Sequence, residues 1–454
     1  MTSITEKLTR RTKIMYGVGD AGINLADTVV GLLFAIFLTD VVGLRPALAA
    51  MALFIGRTSD YLNDPIIGYL SDRTRTRWGR RRPFILFGMI PFALVYMLMW
   101  WKPPFDSQIA LAVYYAVAFV LYDTAATFLY MPYFAMTPEL TSDYDERTTL
   151  TTYRMVFSIL GAMIAYVIPL AIIGTLGPQS AAKVMSVGAG VAFVSILPMI
   201  MVFFGTRERQ EFLKQEQPTL KESLKAAIKN RPFLYAIGIF LLTWTAFDVL
   251  QTVLLYYLKY RMNLAGSGDL IFGVLFVGAL ISLPFWSWAS SHWDKKRAYI
   301  GAMVFLAAVM VGLGFMDPSW GLPAMAILSV LAGFGVGAIQ LLTWSMIPDA
   351  VEWDELQTGQ RHEGMFYSLV TTFRKVAVSI SIPLAMLMLE WTGYVANAKT
   401  QPHSVILGLQ LLIGPIPAVF LVAGIVLASF YPLSRVRHAE VRAKLAERRT
   451  QPKD

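Results

Sequence analysis

The stretch GRTSDYLNDPIIGYLSDRTRTRWGRRRP, from Gly56 to Pro83, decides how the rest of the chain is read. It begins inside a long apolar run, carries Asp60 and Asp64 within that run, and leaves it through a loop with Asp72 and then arginine after arginine. An apolar run that breaks into such a loop is the end of a membrane-spanning helix, at the face where cations are retained. Runs of spanning length recur along the chain, at 14–41, 45–72, 83–101, 108–134, 149–174, 181–204, 232–258, 267–290, 298–316, 321–347, 363–391 and 404–431. Composition agrees. The 454 residues are 56% hydrophobic and only 15% charged, against about 25% charged for a typical soluble chain. Such a chain has too little charge to cover a soluble surface. The expected fold class is an all-α membrane protein with twelve transmembrane helices.

The net charge of +9 invites a nucleic-acid reading, and the placement of the cations argues against it. Lys and Arg crowd the segments before span one, between spans two and three, six and seven, and eight and nine, and after span twelve. The opposite loops and span edges hold few: Arg45, Lys102, Lys183, Lys259, Arg261 and Lys399. That alternation is a topology signal and predicts both termini in the cytoplasm. The first span has a basic lead-in, but it contains Asp20 and Asp27 and no small-residue cleavage site follows it, so it reads as an uncleaved span. With no cysteine there is no disulfide framework, thiolate metal site or cysteine nucleophile. The four histidines are scattered, and no phosphate-binding loop occurs. No nucleophile–base pairing marks an enzyme. Neither a cofactor nor ATP is expected, and an ion gradient or simple facilitation is left as the driving force.

Four divisions follow: a six-helix bundle over 1–205, a cytoplasmic linker over 206–231, a second bundle over 232–431 and a basic cytoplasmic tail over 432–454. In the linker, Thr219 and Glu222 resemble a capping box that opens a short amphipathic helix. The halves correspond weakly: span two runs into Ser71–Pro83 and span eight into Ser290–Tyr299, both acidic then basic.

Charges inside a membrane cost about 2.5–3.5 kcal/mol each even on lenient scales, so each needs a reason. Asp60 and Asp64 are i,i+4 and point the same way, with Asn63 beside them. Two such carboxylates do not both stay ionised unless a Na⁺ or a proton neutralises them, which makes them candidates for cation coupling. Span one presents Asp20, Asn24 and Asp27 as one polar stripe; span four repeats the spacing with Asp123, Thr127 and Tyr130. Arg154 on span five has Asp20 or the span-two acids as partners. In the second half the polar set is Asp248, Gln340, Trp344, Arg374 and Lys375, and a site using both halves would include Lys375.

These runs also resemble a family. Y-G-x-G-D (Tyr16 to Asp20), T-D-V-V-G-L (Thr39 to Leu44), R-T-S-D-Y-L-N-D-P through R-R-R-P (Arg57 to Pro83), M-P-Y-F-A-M-T-P-E-L-T-S-D-Y-D-E-R-T (Met131 to Thr148) and D-E-L-Q-T-G-Q-R-H-E-G (Asp354 to Gly364) are similar to the glycoside–pentoside–hexuronide:cation symporters. These form the melibiose-permease-like branch of the major facilitator superfamily, built from two pseudo-symmetric six-helix bundles. The resemblance implies a cation site at Asp60, Asn63, Asp64 and Thr127. It implies substrate contacts at Asp20 and Arg154, and a lysine at Lys375 that links the halves. Melibiose permease has an aspartate where this chain has Tyr130, a tryptophan at Phe134 and a lysine at Gly19. Sugar recognition is altered accordingly, with Asp27 or Asp123 as the replacement carboxylate.

The expected function is cation-coupled (Na⁺ or H⁺) symport of a sugar or glycoside by alternating access. The alternatives are transport of a lysolipid or amphiphilic organic solute, or uniport. The substrate set is Asp20, Asn24, Asp27, Asp123, Tyr130, Phe134, Arg154, Trp344 and Lys375. Cytoplasmic gating is expected from Asp72, Arg73, Arg80, Glu139, Asp143, Asp354 and Glu355. A monomer in the bilayer of a bacterial plasma membrane is expected, with a small-molecule substrate as its partner.

Overall fold

The structure is a computed structural model that describes residues 8–141, 144–207, 227–359 and 363–450. Among them the chain is helical almost throughout, and the extended pairing is a lone bridge from Thr76 to Gly79 inside the arginine loop. The first half contains α1 (Arg10–Gly17), α2 (Gly19–Ile36), α3 (Pro46–Arg73), α4 (Arg82–Trp100), α5 (Gln108–Ala135), the short α6 (Thr137–Leu140), α7 (Tyr144–Ile173) and α8 (Ala181–Gly205). The second half contains α9 (Arg231–Tyr256), α10 (Gly268–Trp293), α11 (Lys295–Gly314), α12 (Gly321–Ala338), α13 (Trp344–Thr358), α14 (Glu363–Trp391), α15 (His403–Ile413), α16 (Pro415–Ser429) and α17 (Arg435–Thr450).

Eleven segments of the described chain are both long and apolar enough to cross a membrane, and α3 is not among them. Its 28 residues span about 42 Å, more than the hydrocarbon thickness. Length is therefore not what excludes it. Arg57, Asp60 and Asp64 hold down its hydropathy, and these are the residues for which the sequence sought a function. On α5 the apolar side chains of Ile109, Val113, Val117 and Leu121 are exposed, spaced every four residues as one stripe turned to lipid. Tyr115, Phe119, Tyr122 and Ala126 fill its other face. The twelfth span is broken at Gly414 into α15 and α16.

The first helix of each half ends in the same way. After α2 a π-turn covers Phe37–Val42, Gly43 takes φ +90°, and the Leu44 N–H bonds the Leu38 carbonyl at 2.9 Å. After α9 a π-turn covers Tyr257–Arg261, Asn263 takes φ +57°, and the Leu264 N–H bonds the Leu258 carbonyl at 2.8 Å. The left-handed residue that stops the turn is a glycine in one copy and an asparagine in the other, the two residue types that reach that conformation at least cost. A third π-turn, Ile339–Thr343, joins α12 to α13.

The chain divides into two compact units, Met1–Gln215 with Met386–Thr400, and Glu216–Ala385 with Gln401–Asp454. The sequence division at 206–231 thus meets a boundary at 215, but the segment 386–400, which the sequence assigns to the second bundle, belongs to the first unit. It is held there by polar bonds. Arg45 Nη2 pairs with Glu390 Oε1 at 2.5 Å, the Tyr394 hydroxyl donates to the buried Asp40 carboxylate, and Asn397 Nδ2 donates to the Asp40 carbonyl at 2.7 Å. The expected linker helix around Thr219 lies mostly outside the described residues. The tail is a helix: α17 buries Val441 and Leu445, and His438 Nε2 lies 2.8 Å from Glu352 Oε2 on α13.

Candidate functional site

The polar residues of the first unit form three groups. In the first, Arg154 on α7 reaches Asp20 on α2, with Nε at 2.8 Å from Oδ2, and the two side chains are 15% and 5% exposed. Arg154 Nη1 also donates to Thr137 Oγ1 at 3.3 Å, and Thr137 Oγ1 lies 2.6 Å from the Tyr16 hydroxyl. The guanidinium lies over the rings of Tyr133, at 5.4 Å, and Phe134, at 4.8 Å. Of the partners the sequence allowed Arg154, the structure gives it Asp20. Phe134, at the position the resemblance gives to a tryptophan in melibiose permease, supplies an aromatic face for the cation.

The second group surrounds Asp27. This carboxylate is exposed on the deep part of α2, and a carboxylate at that depth has to face water and not lipid. The Tyr122 hydroxyl donates to its Oδ1 at 2.7 Å. The Tyr96 ring lies 5.5 Å from that of Tyr122, and Tyr130 packs 5.7 Å from Phe92. The Tyr130 hydroxyl is buried without a hydrogen-bond partner among the described residues. Asn24 spends its amide on the Asp20 carbonyl, at 3.2 Å along its own helix.

The third group lies where α3 meets α5. Gly56 lets the helices close together, since a Cβ there would meet the Phe119 ring at 2.3 Å. Farther along α3, Asn63 Nδ2 donates to Thr124 Oγ1 at 2.9 Å and to Asp123 Oδ2 at 3.4 Å. The Ser59 hydroxyl reaches Asp123 Oδ2 at 3.0 Å and the Gly56 carbonyl at 2.6 Å. Asp123, which the sequence grouped with the substrate residues, is thus placed against Ser59 and Asn63 on α3. Asp60, Asn63 and Asp64 are half-buried and Thr127 is buried. Asp60, Asp64 and Asp123 each have a further partner. Among the described residues no three acids or histidines converge as a metal-ion site. Any cation held here needs amide and hydroxyl oxygens to complete its shell, a donor set that suits an alkali ion.

In the second unit Arg374 binds Asp248 through both Nη atoms, at 3.2 and 3.3 Å, and lies 4.0 Å over Trp244. Trp244 Nε1 donates to Thr343 Oγ1 in the π-turn at 3.2 Å. Trp344 is half-buried between Phe240, at 4.8 Å, and Tyr367, at 6.3 Å. Lys375 is half-buried and engaged. Of the expected gating residues, Arg73, Arg80, Asp354 and Glu355 are all engaged, with Asp354 buried. Asp143 and the side chains of Asp72 and Glu139 lie outside what is described. The sequence missed a charged cluster within the second unit: Lys295 Nζ lies 2.8 Å from both Asp349 oxygens, and His438 adjoins Asp349 and Glu352. The signal for it was available in the acids that follow Pro348. A groove of about 620 Å³ bounded by Leu98, Phe105, Val113 and Leu121 is apolar and includes none of the expected site residues.

The family described as MFS/sugar transport protein matches residues 15–435. The chain is a member of that family. An uncharacterized symporter of Synechocystis sp. is 33% identical over 98% of each chain. Sodium-dependent lysophosphatidylcholine symporter 1-A of Danio rerio is 29% identical over 95% of this chain and 87% of that one. The putative glycoside/cation symporter YagG of Escherichia coli is 28% identical over 98% and 96%. The crystal structure of a mutant of the nucleoside transporter NupG superposes over 93% of this chain and 99% of its own, with a TM-score of 0.66 at 12% identity. That likeness shows the fold. This member of the family is therefore an integral, multi-pass membrane transporter of the symporter type, not an enzyme, and it carries a small-molecule substrate.

Proposed function

We propose that the protein couples inward movement of Na⁺ to uptake of an amphiphilic solute with a charged headgroup, such as a lysolipid, by alternating access. The observation that carries the coupling is the orientation of Asn63. Its amino group is held by Thr124 and Asp123, which turns its carbonyl oxygen to the other side; in our reading that oxygen, the carboxylates of Asp60 and Asp64 and the hydroxyl of Thr127 are the ligands. Hard oxygen donors of this kind suit Na⁺. The sodium-dependent relative at 29% identity supports the same choice. One charge crossing about 100 mV releases about 2.3 kcal/mol, sufficient for about 50-fold accumulation. In this reading the arginine-rich loops and both termini are cytoplasmic, and the charged residues on that side, Asp72, Arg73, Arg80, Glu139, Asp143, Asp354 and Glu355, take part in gating.

The substrate reading rests on which charges are accessible. Asp20 is consumed by Arg154, Tyr130 offers a buried hydroxyl where melibiose permease has a second acid, and Asp27 is the exposed acid of the α2 stripe. A sugar is gripped by carboxylates that accept from two hydroxyls each, and here the pair is reduced to one. An exposed acid with an arginine two helical turns away suits a headgroup carrying both signs. Trp344 and Lys375 are the contacts we assign on the second unit. A glycoside is the second reading, favoured by the retained Asp20–Arg154 pair and by the glycoside/cation relative.

The test is uptake into liposomes holding the purified protein, with Na⁺ and pH gradients imposed separately and a panel of lysolipids and glycosides. Na⁺-driven uptake of a lysolipid, abolished by Asp60→Asn, is expected. Glycoside uptake alone overturns the substrate reading, and uptake indifferent to Asp60→Asn and Asp64→Asn together overturns the coupling.

A further inference from the structure

The hydrogen bonds around Asn63 have a direction that can be worked out atom by atom. Thr124 donates its one hydroxyl proton to the Val120 carbonyl at 2.7 Å. Its oxygen therefore has only lone pairs to offer Asn63, 2.9 Å away. Asp123 Oδ2, 3.4 Å from the same Asn63 atom, is an acceptor as well. Two acceptors on one side require the amino end of the amide there. A carbonyl oxygen in that place would face lone pairs from both neighbours. The amide is consequently locked, with Oδ1 on the opposite side.

We infer that Asp123 is a positioning residue for the cation site: it acts through Asn63, holding the amide so that the carbonyl oxygen is the atom presented to the ion. The inference deepens the Na⁺ reading and rests on it. Several features favour this role over contact with substrate. Asp123 is 6% exposed. The Ser59 hydroxyl, which divides its single proton between the Gly56 carbonyl and Asp123, approaches the same Oδ2 that takes the Asn63 bond. The close approach permitted by Gly56 keeps α3 and α5 in the register that these bonds need. Nor does the resemblance to the cation symporters assign the position any part in their cation site. An outer partner that orients a ligand alters ion affinity about 10- to 100-fold when it is lost.

The experiment is calorimetric titration of the purified, substrate-free protein with Na⁺, and with Li⁺ as a second ion, for the wild type, Asp60→Asn, Asp123→Asn and Thr124→Val. Thermal unfolding of each variant checks that it is folded. Asp123→Asn exchanges one of the two acceptor oxygens for an amino group and removes the charge, which weakens the hold on Asn63, whereas Thr124→Val removes the other hold without touching a charge. Both are expected to raise the Na⁺ dissociation constant about 10- to 100-fold and to change the Na⁺/Li⁺ ratio, while Asp60→Asn binds no Na⁺. If Asp123→Asn and Thr124→Val both stay within about twofold of the wild type while Asp60→Asn loses binding, the positioning role fails and the cation site stands. If Asp123→Asn abolishes binding as fully as Asp60→Asn, Asp123 is itself a ligand and the positioning role fails again. If the wild type binds no Na⁺, or Asp60→Asn binds it normally, the cation site falls. Should Asp123→Asn not fold, Thr124→Val decides.

Discussion

Asp20 and Arg154 show what a single pair does at this depth. Both side chains are largely withdrawn from solvent, so each charge is tolerable chiefly because the other is present. Removing one partner of such a pair costs about 3–5 kcal/mol, since the survivor is left buried and uncompensated. Asp20→Asn is therefore expected to destabilise the first unit by about that amount, and Asp20→Asn with Arg154→Met to recover part of the loss. Thermal unfolding of detergent-solubilised protein measures both. The acids themselves were legible in the sequence, because a charge within an apolar run announces itself. Their grouping was not. Asp123 shares a helical stripe with Thr127 and Tyr130, and spacing along one helix places it with them, yet its carboxylate is drawn to Ser59 and Asn63 on a neighbouring helix. Periodicity reports which residues share a face and is silent on which neighbour that face meets.

Helices are set by close approaches that a sequence hides among its many glycines. Gly56 is one: any larger residue there must push α3 away from Phe119. Gly56→Leu is expected to cost about 1–3 kcal/mol by overpacking and to weaken Na⁺ binding with it, since Ser59 and Asn63 ride on the displaced helix. Gly56→Leu combined with Phe119→Ala should restore part of both, and unfolding and Na⁺ titration read the result. At the C-terminal end, α17 is fixed by Val441, Leu445 and the His438–Glu352 contact. Val441→Asp with Leu445→Asp is expected to release it and to open 435–450 to limited proteolysis while the rest of the chain stays resistant. The basic composition of that segment reads only as a cytoplasmic tail. The apolar residues four apart were present in the sequence but too few to stand out among the charges.

For the whole molecule, the alternation of basic and neutral loops predicts which side each faces, and the chain has no cysteine, so single introduced cysteines report topology cleanly. A membrane-impermeant maleimide added to intact cells should label Asp106→Cys and not Thr76→Cys; the reverse pattern would invert the proposed orientation. Twelve helices in two halves were readable from hydropathy, except that α3 passes for a spanning helix only when its charges are forgiven. The repeat itself was almost invisible as sequence. FLTDVVGL (37–44) and YLKYRMNL (257–264) share little beyond their leucines, yet both widen into a π-turn and stop on a left-handed residue. A π-turn holds one more residue than the α-turn it replaces, and the two begin 220 positions apart, at Phe37 and Tyr257. The two halves thus carry the same kind of backbone irregularity at the end of their first helix, although the side chains there have little in common.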